Sequence, residues 1–367
     1  MRVYYLTILW VAITALFSQE AKRVEVKDKT LSPNLFDKIP LSSFFIFLSF
    51  LGLFLVAGLR WRVGTDYWQY ASLYWSYSRV PINELFRLKL SNIGSFGIRT
   101  ISIISRYTYD DSATMFFLVS LVTIGLCVFH IARTSKTFLY SILLFIFIGS
   151  WHGSFNGIRQ YMAMAVIFAG SGFIIERKFW KYAIVVFLAS LCHTSALVML
   201  PVYFIVRRKV DYKQWFLLVA IGIIMISSYD ILFKVSAIIL DKQMISTNPY
   251  MTKRVNILRV AISWAPLAIY YMVRRVYGKD TESNFYINML LINAILRVGT
   301  MNSAYLMRIA SYTGIFSSLA IPRLLECFDK KSAILLKILI LGLYIIFWYI
   351  EVSKTPNLYH FKWIFSR

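Results

Sequence analysis

The sequence predicts an all-α, polytopic integral membrane protein, and three observations predict it. Hydrophobic residues make up 59% of the 367 and charged residues only 16%, with a mean hydropathy of +0.63. A soluble domain has nowhere to place that much apolar surface. The apolar stretches are continuous rather than alternating in steps of two, which excludes an outer-membrane barrel. The short connections between them are rich in Lys and Arg, the pattern of loops retained on the cytoplasmic side.

Taken in order, the expected spans are Val3–Ser18, Leu41–Leu59, Ser112–Ile131, Phe138–Trp151, Arg159–Ile175, Lys181–Cys192, Ser195–Val206, Gln214–Ser228, Leu258–Val273, Asn284–Gly299, Ala304–Ile321 and Ala333–Ile350. No small-residue cleavage site separates Met1–Ser18 from the charged run starting at Glu20, so it reads as a retained first helix. Basic connections fall at Arg133 to Lys136, Glu176 to Lys181, Arg207 to Lys213, Arg274 to Lys279 and Arg323 to Lys331. Placing these in the cytoplasm with Glu20–Lys38 gives about twelve crossings and puts both termini outside. Lys181–Cys192 and Ser195–Val206 are each short of the about 20 residues a full crossing needs. They read as a broken hairpin with His193 at its outer tip, which keeps every basic loop inside. The whole chain is expected as one membrane domain, 1–367.

Two outer segments remain, 60–111 and 229–257. In the second, Ile231, Leu232, Val235, Ile238 and Ile239 make an apolar face at helical spacing, suited to a helix lying on the membrane surface. The formal charge of +23 marks cytoplasmic loops rather than nucleic-acid binding, but nearly half of the cations fall outside under this topology. A bound phosphate or pyrophosphate accounts for that excess. Cys127, Cys192 and Cys327 lie in or beside separate helices, with neither a C-x-x-C pair nor a disulfide framework. There is no H-E-x-x-H, D-x-D or carboxylate cluster for a metal.

Three blocks carry chemistry. The first is Arg60-Trp61-Arg62-Val63-Gly64-Thr65-Asp66-Tyr67, directly after the second apolar run. An arginine at membrane depth costs about 2.5–3.5 kcal/mol on insertion scales, which makes it a functional candidate. Gly64 permits a tight turn, and Asp66 is held beside two cations, where it either accepts a hydroxyl proton or neutralises an arginine. The second block is Trp151-His152-Gly153-Ser154-Phe155-Asn156-Gly157-Ile158-Arg159-Gln160, which places Arg159 in the first turn of a helix. A cation at a positive helix end wants an anionic partner. The third, His193-Thr194-Ser195, interrupts an apolar stretch; a histidine there is either a catalyst or a satisfied hydrogen-bond partner. Arg297 and Arg308 flank the turn Thr300–Ser303, either snorkelling to lipid phosphate or sharing a pocket with Arg60 and Arg159. Asp110-Asp111 reads as a helix cap.

These same blocks carry a resemblance to a known family. Gly58-Leu59-Arg60-Trp61-Arg62-Val63-Gly64-Thr65-Asp66-Tyr67 resembles the G-F-R-x-x-V-G-T-D-Y of the EpsG family of exopolysaccharide polymerases, relatives of Wzy-type O-antigen polymerases. Asn156-Gly157-Ile158-Arg159-Gln160 with Ala163, and Ala189 through Leu197 around His193, continue it in order and spacing. Leu59 replaces the usual aromatic residue, Arg62 sits at a variable family position, and Arg297 and Arg308 have no motif counterpart.

The resemblance implies a GT-C-like membrane glycosyltransferase, without cofactor or metal, at the outer face of the bacterial cytoplasmic membrane. A hydroxyl of one undecaprenyl-pyrophosphate-linked repeat would attack the anomeric carbon of another lipid-linked oligosaccharide, and undecaprenyl pyrophosphate would leave. Asp66 or His193 would handle the proton, with Asp66 preferred. Arg60, Arg62, Arg159 and Gln160 would hold the pyrophosphate, joined, on the topology argument alone, by Arg297 and Arg308. Implied partners are the lipid-linked donor, membrane lipid, and a chain-length regulator or flippase of the same pathway. The rival readings are an O-antigen ligase-like transferase and a transporter or flippase of lipid-linked sugars. The absence of an internal repeat weighs against the transporter.

Overall fold

The computed structural model describes residues 1–29, 40–86, 90–227 and 254–367, and among these it is helical throughout, with one isolated β-bridge. The surface helix expected within 229–257 falls outside the described residues except at its last positions. The described chain forms two compact units. The first comprises Met1–Ser171, Trp180–Leu197 and Ile340–Arg367; the second comprises Gly172–Phe179 and Val198–Leu339.

The first unit opens with α1 (Arg2–Lys29) packed along α2 (Leu41–Gly58). Helix α1 was expected to end at Ser18. It runs on to Lys29 because the charged stretch that follows supports a helix, with Arg23 and Glu20 paired at 2.6 Å across one turn. Glu25 near its end accepts from the Ser42 N–H and hydroxyl at 2.8 and 2.6 Å, capping the start of α2 from a neighbouring helix. Then come α3 (Tyr67–Tyr77), α4 (Ile82–Leu85), α5 (Phe96–Thr108), α6 (Ser112–Thr134), α7 (Phe138–Phe147), α8 (Ser150–Gly153) and α9 (Ile158–Ala169). Asp111 caps α6 by accepting from the Ala113 N–H at 2.7 Å.

The span expected over Phe138–Trp151 is interrupted after Phe147, where Gly149 takes φ +86° and turns the chain into α8. The span expected over Arg159–Ile175 likewise ends at Ala169. Gly170 and Ser171 separate it from the short α10 (Gly172–Ile175). Helix α11 (Phe179–Cys192) is followed by a 3₁₀ turn over Thr194–Val198 and then by α12 (Met199–Val206). Phe179 packs on Tyr203 and Phe204 at ring distances of 5.2 and 5.4 Å, so the chain doubles back between them.

In the second unit α13 (Tyr212–Ser227) and the helix Ile257–Val273 both pack on Thr281–Gly299. Gln214 donates to Asn288 at 3.2 Å, and Asn288 in turn donates to the Val206 and Arg208 carbonyls at 3.1 and 2.8 Å. These amides satisfy buried helix-end carbonyls. The expected span Ala304–Ile321 is broken into a 3₁₀ turn (Leu306–Ala310), one helical turn (Ser311–Gly314) and the helix Ser317–Leu325.

Four described helices are long and apolar enough to cross a membrane: Arg2–Glu25 within α1, α2, α6 and Lys330–Ser353. Shorter apolar helices lie at Phe138–Phe147, Ile158–Ala169, Phe179–Cys192, Thr194–Val206, Tyr212–Ile224 and Ile257–Val273.

Candidate functional site

The first block is a tight reversal between α2 and α3. Two residues take left-handed backbone conformations, Arg62 at φ 56° and Gly64 at φ 111°. Gly64 meets both demands made on glycine. Its φ disfavours a side chain, and a Cβ there would stand 2.4 Å from the Phe155 carbonyl oxygen. Arg62 is held in its strained conformation by its own side chain, which lies over the Trp61 and Trp68 rings at 5.4 and 4.8 Å. It is exposed, so a cation stands at the surface of the turn.

Arg60 points the other way and is only 1% exposed. Its guanidinium donates to the Val63 carbonyl at 3.2 Å, to the Ala57 carbonyl and to Ser120 Oγ at 3.3 Å, with Phe155 O at 3.5 Å. The Phe116 and Phe155 rings lie 4.9 and 5.1 Å from it. These bonds reach one carbonyl at the end of α2, Ala57, and one in the turn itself, Val63, so this arginine braces the turn from inside. Asp66 stands at the N-cap of α3 and is half-buried. Its carboxylate accepts from Thr65 Oγ1 at 3.0 Å and does not cap the helix.

The second block docks directly on the first. Asn156 Oδ1 accepts the Thr65 N–H at 2.7 Å, next to the Phe155 carbonyl beneath Gly64. His152 is buried and accepts from Trp348 Nε1 on its Nδ1 at 3.0 Å, which ties it into the packing. Arg159 sits in the first turn of α9, a helix with no side-chain cap and no acidic residue in that turn. Its Nη1 donates to Ser95 Oγ at 2.5 Å, while its Nε is buried with no hydrogen-bond partner. Gln160 is buried beside it.

The third block closes against the 3₁₀ turn Leu90–Ser95 and α5. A Cβ at Gly94 would come within 2.7 Å of the Thr194 nitrogen, and one at Gly97 within 3.0 Å of Cys192 Sγ. His193 Nδ1 accepts from the Ser195 N–H at 3.2 Å and sits 2.8 Å from Ser195 Oγ. An amide can only donate, so the neutral ring carries its proton on Nε2.

The three blocks meet around one buried cluster. Tyr67 from the first, Ile158 and Met162 from the second, Ile98 from α5 and Phe116 from α6 form it, with Cys192 from the third packed against it. Six of the expected site residues therefore belong to the first unit. Arg297 and Arg308 belong to the second, where Arg297 ends its helix and donates from Nε to Asn293 Oδ1 at 3.2 Å. Arg308 lies in the Leu306–Ala310 turn.

Two participants escaped the sequence reading. One is the 90–97 segment, through which Arg159 and His193–Thr194 are joined. The other is the tail. Trp61 N–H donates to Lys362 O and Ile364 N–H to Leu59 O, both at 2.8 Å, forming the antiparallel bridge of Arg60 with Trp363. Gly64 N–H donates to Asn357 O at 3.0 Å. Arg367 grips Asp111 with two bonds at 2.5 and 2.7 Å and covers the Trp61 ring at 4.2 Å. That pair holds the Asp111 carboxyl below the usual aspartate range. Asp110 is likewise lowered, by the Tyr74 hydroxyl first and then by Arg79, which forks onto it at 2.9 and 2.8 Å. Neither tie has a sequence signal, since the partners are remote along the chain.

The apolar spans, joined to a turn with a surface arginine and a half-buried carboxylate, are those of a helical membrane protein. The chain belongs to the EpsG family, whose model matches residues 43–364. Membership and the apolar helices together place it among membrane polysaccharide polymerases. Searches of curated proteins and of solved structures found no match.

Proposed function

We propose that this protein polymerises undecaprenyl-pyrophosphate-linked oligosaccharide at the outer face of the bacterial cytoplasmic membrane. A hydroxyl oxygen of one lipid-linked repeat bonds to the anomeric carbon of a second lipid-linked chain. The bond from that carbon to the pyrophosphate oxygen breaks, and undecaprenyl pyrophosphate departs with the negative charge. Asp66 orients the hydroxyl and takes its proton. His193 has Nδ1 committed to Ser195 and its proton on Nε2, which suits donation to an anionic oxygen better than proton abstraction. Arg62 and Arg159 meet the departing pyrophosphate, helped by the N-terminus of α9 and by Gln160. Arg60 positions rather than binds, because its donors are turned to carbonyls.

The observation that carries this reading is the docking of the three blocks on one another through Asn156, Ser95 and the shared cluster. Segments with no need of one another for crossing a membrane are joined, and these segments carry Asp66, Arg62 and Arg159. The test incubates purified protein with a defined lipid-linked repeat. A ladder of products is expected. A single addition to another acceptor would make it a ligase, and lipid movement without new bonds would make it a flippase.

A further inference from the structure

The second unit holds a cavity that has no part in the reading above. Its volume is about 390 Å³, within the range of about 300–1,000 Å³ typical of small-ligand sites. Three segments meet there: the connection before α13, the end of the helix Ile257–Val273 and the start of the helix Thr281–Gly299. All of its lining residues belong to the second unit. The buried Asn284 ties the walls together. Its Oδ1 accepts the Val210 N–H at 3.0 Å, and its Nδ2 donates to the Lys279 and Asp280 carbonyls at 2.7 and 2.8 Å. One side chain therefore fixes both basic connections at the cavity, with its own polar atoms satisfied.

Three cations line this cavity, Arg274, Arg275 and Lys279, and all three are exposed. No carboxylate stands among the described residues that line it. The acid that follows Lys279, Asp280, has both oxygens on Ser283, accepting from its N–H at 2.9 Å and its hydroxyl at 2.7 Å as a helix cap. Retention of Lys and Arg on one side of a membrane accounts for cations in this connection. It does not require three of them to line one cavity, where like charges repel unless an anion joins them. The adjoining helix points to the source of that anion. The Arg274 guanidinium lies 3.8 Å from the Tyr271 ring and donates to the Tyr271 carbonyl at 2.7 Å. Tyr271 and Met272 are each 66% exposed, and Trp264, two turns earlier on the same side, is exposed too. A cation-lined cavity thus adjoins the exposed face of an apolar helix. A free phosphate would use only the cavity, whereas a lipid uses both, phosphate in the cavity and acyl chains along the helix.

We propose that this cavity binds the headgroup phosphate of an anionic membrane lipid. Arg274, Arg275 and Lys279 supply the positive charge, and the guanidinium groups offer paired donors to phosphate oxygens. Trp264, Tyr271 and Met272 face the acyl chains. The site shares no residue with the polymerase reading and does not rest on it.

The test takes purified full-length protein from nanodiscs of equimolar phosphatidylglycerol and phosphatidylcholine into neutral detergent. Native mass spectrometry then counts the lipid that stays bound. The parent should retain phosphatidylglycerol in preference to phosphatidylcholine. Arg275→Gln should lower that preference about fivefold, the pull of one cation on an anionic headgroup. Neutralising Arg274, Arg275 and Lys279 together to Gln should abolish it. Neutralising Arg133, Lys330 and Lys331 to Gln removes the same charge from exposed positions in other basic connections and should leave the preference at the parental level. Equal loss in the two triple variants would mean diffuse surface charge and overturn the site, as would parental retention in the cavity variant. If the cavity triple variant does not fold, Arg275→Gln and Lys279→Gln singly carry the comparison. Thermal unfolding in the same detergent separates the two sources of phosphate. Phosphatidylglycerol should raise Tm and free glycerol phosphate should not. Equal stabilisation by both would assign the cavity to a soluble phosphate ester and overturn the lipid.

Discussion

At the scale of single residues, the turn after α2 is over-determined. Gly64→Ala places a methyl against the Phe155 carbonyl in a left-handed conformation, and the two penalties add. A loss of about 2–4 kcal/mol is expected from strain and overlap together. Gly149→Ala shares the left-handed φ, but its Cβ would meet nothing within 4 Å, so only about 1 kcal/mol is expected there. Comparing the two thermal midpoints in one detergent isolates the clash; equal losses would mean that Phe155 simply moves aside. For chemistry, Asp66→Asn should bind lipid-linked donor as tightly as the parent and make no polymer. Binding that collapses together with turnover would make Asp66 a structural partner of the arginines instead. Arg159→Lys should lose most activity although the charge remains, because one ammonium does not replace a guanidinium that both donates to Ser95 and meets phosphate. Full polymer from that variant at normal expression would leave Arg159 as an anchor.

At the scale of elements, polar ties at helix ends join segments remote in the chain. Asn156→Ala leaves the Thr65 N–H without its acceptor. A stability loss of about 0.5–1.5 kcal/mol is expected, with a larger drop in turnover, since the tie aligns two blocks. Equal kcat with lowered Tm would contradict that role. The tail behaves as a strap over the first block. Arg367→Ala should speed hydrogen exchange at the Trp61 and Ile364 amides, both bonded to the opposing strand of the bridge. Unchanged exchange would mean the backbone bonds hold without the Arg367–Asp111 pair. The sign of its pH dependence follows from Asp111. The folded carboxyl is depressed, so its contribution is present above the ordinary aspartate value near 3.9 and is lost as pH falls through the depressed one. At neutral pH the strap stays closed.

At the scale of the whole molecule, the open quantity is sidedness. The loop charges put 60–111 and 229–257 outside and Arg274–Lys279 in the cytoplasm. Val276 lies in that basic connection and is 70% exposed. In a cysteine-free background, Val276→Cys should resist an impermeant thiol reagent in intact cells and react once the membrane is opened. Trp68→Cys, at an exposed position on α3, should react in intact cells. Labelling of position 276 from outside would invert the topology.

Composition and continuous apolar runs were sufficient to determine a helical membrane protein, because burying that much apolar surface leaves few alternatives. Motif spacing was sufficient to mark Arg60-to-Tyr67, Asn156-to-Gln160 and the His193 region, because local turns demand particular residues. Helix ends were less legible. The break at Gly149 and the extension of α1 past Ser18 depend on a positive φ and on a pair across one turn, and Gly170 is closely approached by Val185; hydropathy registers none of these. What only the tertiary structure decided is which arginine faces inward. Arg60 and Arg62 are two residues apart, yet with left-handed backbone at Arg62 and Gly64 one is turned toward the Ala57 and Val63 carbonyls and the other toward the surface. The same holds for the tail across Trp61. Its contacts join segments far apart in the chain, and no local pattern encodes a distant neighbour.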